Sequence, residues 1–292
     1  MLYDIFAIIA PVFICALIGY TWVKRGHAFE TPFVSNLVMN VGAPCLIFST
    51  FMAIDLDKDA FLTMAGAAFV SMMIFGLVGY VVLRICNLDQ RAFLPGQIFP
   101  NVGNMGLPLC LLAFGDEGLA LGLTYFTVNI VFGFTVGIAI SSGSMTFKEL
   151  FRNPMFWTVI ITVSLVFAGF ESPAWLYNTT DLLAGLTIPL MLIALGVSLA
   201  RFQITSLKRS ISLSAMRLGL GFLTGNGIAM MMGLEGAAKG ILIMQCTMPV
   251  AVFAYLFAMR YERQPEEVAA TVVISTLMSF ALLPALLWYV LP

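Results

Sequence analysis

The chain is 292 residues long, 61% hydrophobic and only 10% charged, with a formal net charge of −1. Soluble domains carry about 25% charged residues, so this composition describes an integral membrane protein. The near-neutral balance excludes a nucleic-acid partner, which would need a dense basic face.

The five cysteines (Cys15, Cys45, Cys86, Cys110 and Cys246) are scattered through apolar segments without CxxC or Cys/His spacing, and they read as small buried hydrophobes. His27 is the only histidine and sits in a polar stretch, so neither a metal site nor His-based catalysis is expected. The first apolar run, Ile5 to Val23, is as long as a full span. It opens on Asp4 where a signal peptide would be basic, and Lys24-Arg25 follows it. It is therefore expected to be a retained helix.

At about 20 residues per span, the pattern places ten helices at about 5–23, 31–53, 60–86, 91–114, 117–140, 155–170, 178–200, 211–232, 236–259 and 266–290. Connections are short, the longest running from Ser141 to Pro154, and no soluble domain is expected. Connections after odd-numbered helices hold Lys24, Arg25, Arg84, Arg91, Lys148, Arg152, Arg201, Lys208, Arg209, Arg260 and Arg263. Those after even-numbered helices hold only Lys58 and Lys239, beside Asp55, Asp57, Asp59, Asp116, Glu117, Glu171 and Glu235. By the positive-inside rule the odd connections are cytoplasmic and both termini face outward from the cytoplasmic membrane.

The fourth segment is interrupted. Gln97-Ile-Phe-Pro-Asn-Val-Gly-Asn-Met-Gly-Leu-Pro-Leu109 carries two prolines, two glycines, two asparagines and a glutamine in the middle of an apolar run. Pro108 removes a backbone donor, while Gly103 and Gly106 weaken a helix. Such a break in hydrocarbon is tolerated only where it is buried in protein or lines a cavity. The ninth segment has a counterpart in Gln245-Cys-Thr-Met-Pro-Val, and helices 2 and 7 share a proline pattern at Asn40-Val-Gly-Ala-Pro and Leu186-Thr-Ile-Pro. Pro44 and Pro189 lie 145 residues apart, and Pro108 and Pro249 lie 141 apart. These offsets suggest two inverted five-helix repeats, about 1–143 and 144–292, with broken helices at matching places.

At these residues the chain resembles the auxin efflux carrier family of permeases, which includes the plant PIN-formed exporters. The likeness runs through Ala10-Pro-Val-Phe, Gly19-Tyr, Asn36, Ala43-Pro, Pro100-Asn-Val-Gly-Asn-Met-Gly-Leu-Pro-Leu, Phe151-Arg-Asn-Pro, Leu195-Gly-Val-Ser-Leu and Met244-Gln-Cys-Thr-Met-Pro-Val-Ala-Val-Phe-Ala. It implies an all-α membrane protein related in fold to sodium–bile-acid symporters. Ten transmembrane helices form two inverted repeats, with helices 4 and 9 broken and crossing at the midplane. The short connection between helices 5 and 6 implies a compact relative of bacterial type, for which small carboxylates such as malate or malonate are the expected solutes. The family's crossover asparagine falls on Asn101; Asn104 stands where plant members usually have an apolar residue.

The expected function is thus secondary transport of a small organic anion by alternating access, without catalysis and without a cofactor. Half-helices starting near Leu107–Leu109 and Met248–Val250 would aim bare N–H groups at one cavity. Asn101, Asn104, Gln97, Gln245 and Thr247 are the candidate ligands. Gly103, Gly106, Pro108 and Pro249 are the candidate breaks, and Asn36, Asn40, Pro44 and Pro189 flank them on helices 2 and 7. Asn129 ranks lower, and the glycine pairs 118/122, 133/137 and 221/225 are expected to be packing faces. Arg217 is expected to snorkel to the cytoplasmic surface. Sodium- or proton-coupled uptake and a channel-like uniporter remain open alternatives. The expected partners are the bilayer, the anion and, as an open alternative, a second copy in a homodimer; no nucleic acid is expected.

Overall fold

The computed structural model describes residues 2–53, 58–144, 151–152, 154–202 and 206–291. Asp55, Asp57 and Lys148, which entered the charge count, lie outside the described residues. The described residues are helical apart from short connections and a single two-residue bridge. In chain order the helices are α1 (Leu2–Lys24), α2 (Thr31–Ala53), α3 (Lys58–Ile85), α4 (Gln90–Ile98), α5 (102–114), α6 (116–142), α7 (Pro154–Phe167), α8 (Ala174–Arg201), α9 (Leu207–Met231), α10 (Gly236–Cys246), α11 (Val252–Arg260) and α12 (Pro265–Val290).

Helices α5 and α6 form one helical run whose direction changes at Gly115, with φ 64° and ψ −152°. A residue with a Cβ is strained there. Among the described residues, six helical runs are long and apolar enough to cross a bilayer: those beginning at Tyr3, Thr31, Lys58, Val102, Ala174 and Pro265. Large apolar side chains such as Phe6, Leu62, Leu77, Leu182 and Leu223 stand on the outer surface. An apolar exterior of this kind suits lipid as solvent, and the protein is membrane-embedded.

The helices sort into two packed groups. Helix α1 lies along the second half of α8, and α2 packs against α7 and the first half of α8. In the other group α3 packs on α4, α5 and α6, while α9 packs on α10 and α12. Small residues permit the closest approaches, as expected where lipid supplies no hydrophobic drive between helices. A Cβ on Gly196 would overlap the Ala16 carbonyl of α1, and one on Gly221 would overlap the Cys246 carbonyl of α10. The other paired glycines also face close neighbours: Gly118 and Gly122 meet Cys110, Gly133 meets Phe253, and Gly137 meets Phe99 and Phe257.

Proline shapes two helices without breaking them. In α2 the amide of Ala43 bonds the carbonyl of Val38, and in α5 the amide of Leu107 bonds that of Val102. Both are wide π-type turns, each ending two residues before a proline, Pro44 or Pro108. A proline has no N–H for the carbonyl four residues back, and a local π turn re-routes the ladder around that loss. This corrects the expectation for Gly103, Gly106 and Pro108. They lie inside α5, and the break itself comes earlier, at residues 99–101.

Candidate functional site

Two interruptions meet in the second helix group. Between α4 and α5 the chain is extended at Phe99 and Pro100; between α10 and α11 it is unwound from Thr247 to Ala251. Pro100 and Val250 pair as an antiparallel bridge. The amide of Asn101 donates to the Pro249 carbonyl at 2.7 Å, and that of Ala251 donates to the Phe99 carbonyl at 3.2 Å. Ser275 of α12 accepts from the Val250 amide at 3.1 Å. The backbone polar groups of the break therefore satisfy one another, as an interrupted span requires away from water.

This pairing sets the polarity of the site. Helices α5 and α11 both begin at the bridge, so their N-terminal amides open onto the same space. Among the described residues the amides of Gly103, Asn104, Val252 and Phe253 make no backbone bond outside their helices, and first-turn amides as a rule have no partner within a helix. These four residues line one side of a cavity of about 320 Å³. Val34, Ser35, Val38 and Met39 of α2, with Met191 and Ala194 of α8, line the opposite side. The cavity thus lies between the two helix groups, and Arg260 stands at its rim, where α11 ends.

Three asparagines face this space: Asn101, Asn104 and Asn129. Asn101 is 4% exposed, and its side-chain amide nitrogen has no hydrogen-bond partner among the described residues. Asn129 of α6 is fully buried, and among the described residues neither its amide nitrogen nor its oxygen is partnered. An unsatisfied buried polar group costs about 1–3 kcal/mol, so these two amides beside the cavity are candidate contacts for a polar solute.

The other candidates sit elsewhere. Gln97 is buried behind the break, with its Nε2 3.4 Å from the Leu213 carbonyl of α9. Gln245 is buried between α5 and α6, with Nε2 3.4 Å from the Gly122 carbonyl and its Oε1 unpartnered. Thr247 donates to the Ile243 carbonyl at 2.6 Å and borders an apolar groove between α9 and α12. None of the three lines the cavity. Pro249 is in the break itself. Asn36 and Asn40 are exposed on α2, the Asn40 amide donating to the Asn36 carbonyl at 2.7 Å. Pro44 follows the π turn of α2, and Pro189 borders a separate cavity at the opposite end of the helix groups, with Asp116 and Asp181.

Arg217 overturns the snorkelling expectation. It is completely buried in α9. Its Nη1 donates to the Gln97 carbonyl at 2.7 Å, its Nη2 to the Cys246 carbonyl, and its Nε approaches the Met248 carbonyl at 3.4 Å. Its guanidinium carbon stands 4.1 Å from the centre of the Phe75 ring. These carbonyls belong to the C-terminal ends of α4 and α10. A cation there meets the negative poles of two helices and satisfies carbonyls that the helices cannot. The sequence offered one signal: Arg217 lies ten residues into α9, about 15 Å along the axis and out of easy reach of either surface.

Paired helix breaks inside a bundle with an apolar exterior, joined to a polar cavity between two helix groups, define a membrane transport protein. The chain belongs to the family described as "Membrane transport protein", whose model matches residues 4–145 and 137–289, in agreement with the auxin efflux carrier resemblance. It is 25% identical to an uncharacterized transporter of Methanocaldococcus jannaschii, over 96% of both chains. It is also 25% identical to an uncharacterized transporter of Methanothermobacter thermautotrophicus, over 97% of this chain and 96% of the relative. A protein of Rhizobium meliloti provisionally described as a malonate transporter is 24% identical over 98% of this chain and 96% of the relative.

Proposed function

We propose that the protein is an alternating-access carrier that binds a small organic anion, a carboxylate, at the N-terminal face of the crossing. The observation that carries this reading is the convergence of two helix N-termini on a cavity lined by Asn101 and Asn129, whose side-chain amide nitrogens have no hydrogen-bond partner among the described residues. Two N-terminal poles together present about one positive charge, which suits one carboxylate without any buried cation facing it. A cavity of about 320 Å³ is at the small end for ligand pockets and favours a compact solute. Malonate, the solute in the Rhizobium meliloti relative's description, is a compact carboxylate and is the first probe to use, one of its two carboxylates meeting the helix poles.

The proposed architecture is ten membrane crossings in two inverted repeats, in which α4–α5 form the fourth crossing and α10–α11 the ninth. Packing supports it: α1 lies on α8 as α7 lies on α2, and α3 lies on α4 as α9 lies on α10. With the basic connections on the cytoplasmic side, the cavity rimmed by Arg260 and Ser35 opens inward. The α1–α2–α7–α8 group would rock against the other group to expose the crossing outward.

Purified protein in proteoliposomes should carry radiolabelled malonate down an imposed membrane potential, each charge gaining about 2.3 kcal/mol per 100 mV. Asn101→Leu should lower that flux roughly 10- to 100-fold while the protein stays folded. Undiminished flux in that variant would sink the assignment of the site. Currents at channel rates would replace the carrier with a pore.

A further inference from the structure

Three backbone carbonyls, those of Gln97, Cys246 and Met248, converge behind the crossing, on the side away from the anion cavity. Oxygens of unwound segments and half-helix C-termini are what carriers use to hold a coupling sodium ion. Here the space between them is filled by a side chain. The Arg217 guanidinium donates to all three carbonyls and stacks on Phe75, and no carboxylate forms an ion pair with it among the described residues. Two C-terminal poles sum to about one negative charge, and one guanidinium cancels it. Tyr125 and Ser71 close the space further: the Tyr125 hydroxyl lies 2.8 Å from Ser71 Oγ and 3.5 Å from the Cys246 sulfur.

We propose that Arg217 is a tethered cation: a positioning residue whose guanidinium occupies the carbonyl cage shared by α4 and α10, so that the crossing is held and charge-balanced without a bound coupling ion. The proposal rests on the carrier reading for its consequence, ion-independent transport, but not for its geometry. Arg is suited to the task because its planar fork reaches several acceptors at once and stays charged when buried. Lysine offers a single point charge and cannot span carbonyls from two helices in the same way.

The test uses full-length protein and two neutral variants, Arg217→Ala and Arg217→Met, with Arg217→Lys as the conservative change. In melting experiments, millimolar methylguanidinium should raise the transition of Arg217→Ala by about 4 °C, as a ligand refilling a vacated site does, and should leave the wild type unmoved. Malonate flux should fall at least tenfold in Arg217→Ala, return in part with methylguanidinium, and be intermediate in Arg217→Lys. Wild-type melting and flux should be the same in sodium and choline salts at fixed potential and pH. Folded neutral variants that keep full flux, or that do not respond to methylguanidinium, would overturn the proposal. So would wild-type flux that requires sodium, an outcome that leaves the carrier reading intact. If the wild type carries no malonate, the substrate class proposed above fails and the melting data alone decide on Arg217. If neither neutral variant folds, the sodium–choline comparison on the wild type decides.

Discussion

The two faces of the crossing are built from the same broken helices and treated in opposite ways. On the rear face the C-terminal ends of α4 and α10 are covered: Arg217 takes three carbonyls, and the surrounding side chains are buried. On the cavity face the N-terminal ends of α5 and α11 are left open, and Asn101 and Asn129 add amide nitrogens without partners among the described residues. A protein could have satisfied both ends or neither. Satisfying only the negative poles leaves a fixed positive potential aimed at the cavity. On the proposed reading, the anion site needs no buried cation facing it, because Arg217 balances the crossing from behind.

The comparison can be broken most forcefully at Asn101. A hydrogen bond to a charged group contributes about 1.5–3 kcal/mol, so Asn101→Leu should lower malonate flux per KM by roughly 10- to 100-fold in proteoliposomes, with its melting transition kept. Asn129→Leu should weaken binding by about tenfold for the same reason, although removing a buried unpartnered amide should leave the empty protein equally or more stable. A thermal-shift titration with malonate reads both effects. A substitution on the α1–α8 packing seam separates folding from transport. Gly196→Leu drives a side chain into the Ala16 carbonyl, and such overpacking should cost about 1–3 kcal/mol, seen as a lower melting transition without a selective change in KM. The smallest effect is expected at Thr247, whose hydroxyl bonds its own helix and borders the α9–α12 groove. Thr247→Val should change flux less than about twofold, since a local back-bond contributes only about 1 kcal/mol to stability. A loss at Thr247 as large as at Asn101 would mean that the two faces do not differ in the way the geometry indicates.

Much of this was legible in the residues themselves. The apolar runs located the helices to within a few residues, because length and hydropathy are one-dimensional requirements of a bilayer. The crowding of Pro, Gly and Asn between Gln97 and Leu109 located the interruption of the fourth segment, because such residues in hydrocarbon have few other uses. The place of the break was less legible. Pro108 looked like the breaker, yet the chain absorbs it in the π turn that follows Asn101, and the extended residues are Phe99 and Pro100. Gln97, Gln245 and Thr247 were grouped with Asn101 because all are polar and near a break. Which side of a helix each faces depends on the partner helices, and those turn Gln97 and Gln245 away from the cavity.

The sequence by itself determined that this chain lives in lipid, that two of its segments are interrupted, and that the interruptions carry amides rather than carboxylates. Those are consequences of composition and local backbone chemistry, and no folding is needed to read them. Only the tertiary structure decided that the two interruptions pair with each other. It likewise decided that Asn129 faces the cavity with its amide unpartnered, and that Arg217 turns inward to carbonyls 29 and 120 residues away in sequence. The physical reason is that a helix pole or a buried amide acquires meaning from what lies opposite it. What lies opposite comes from distant parts of the chain, and its placement is fixed only when the helices pack.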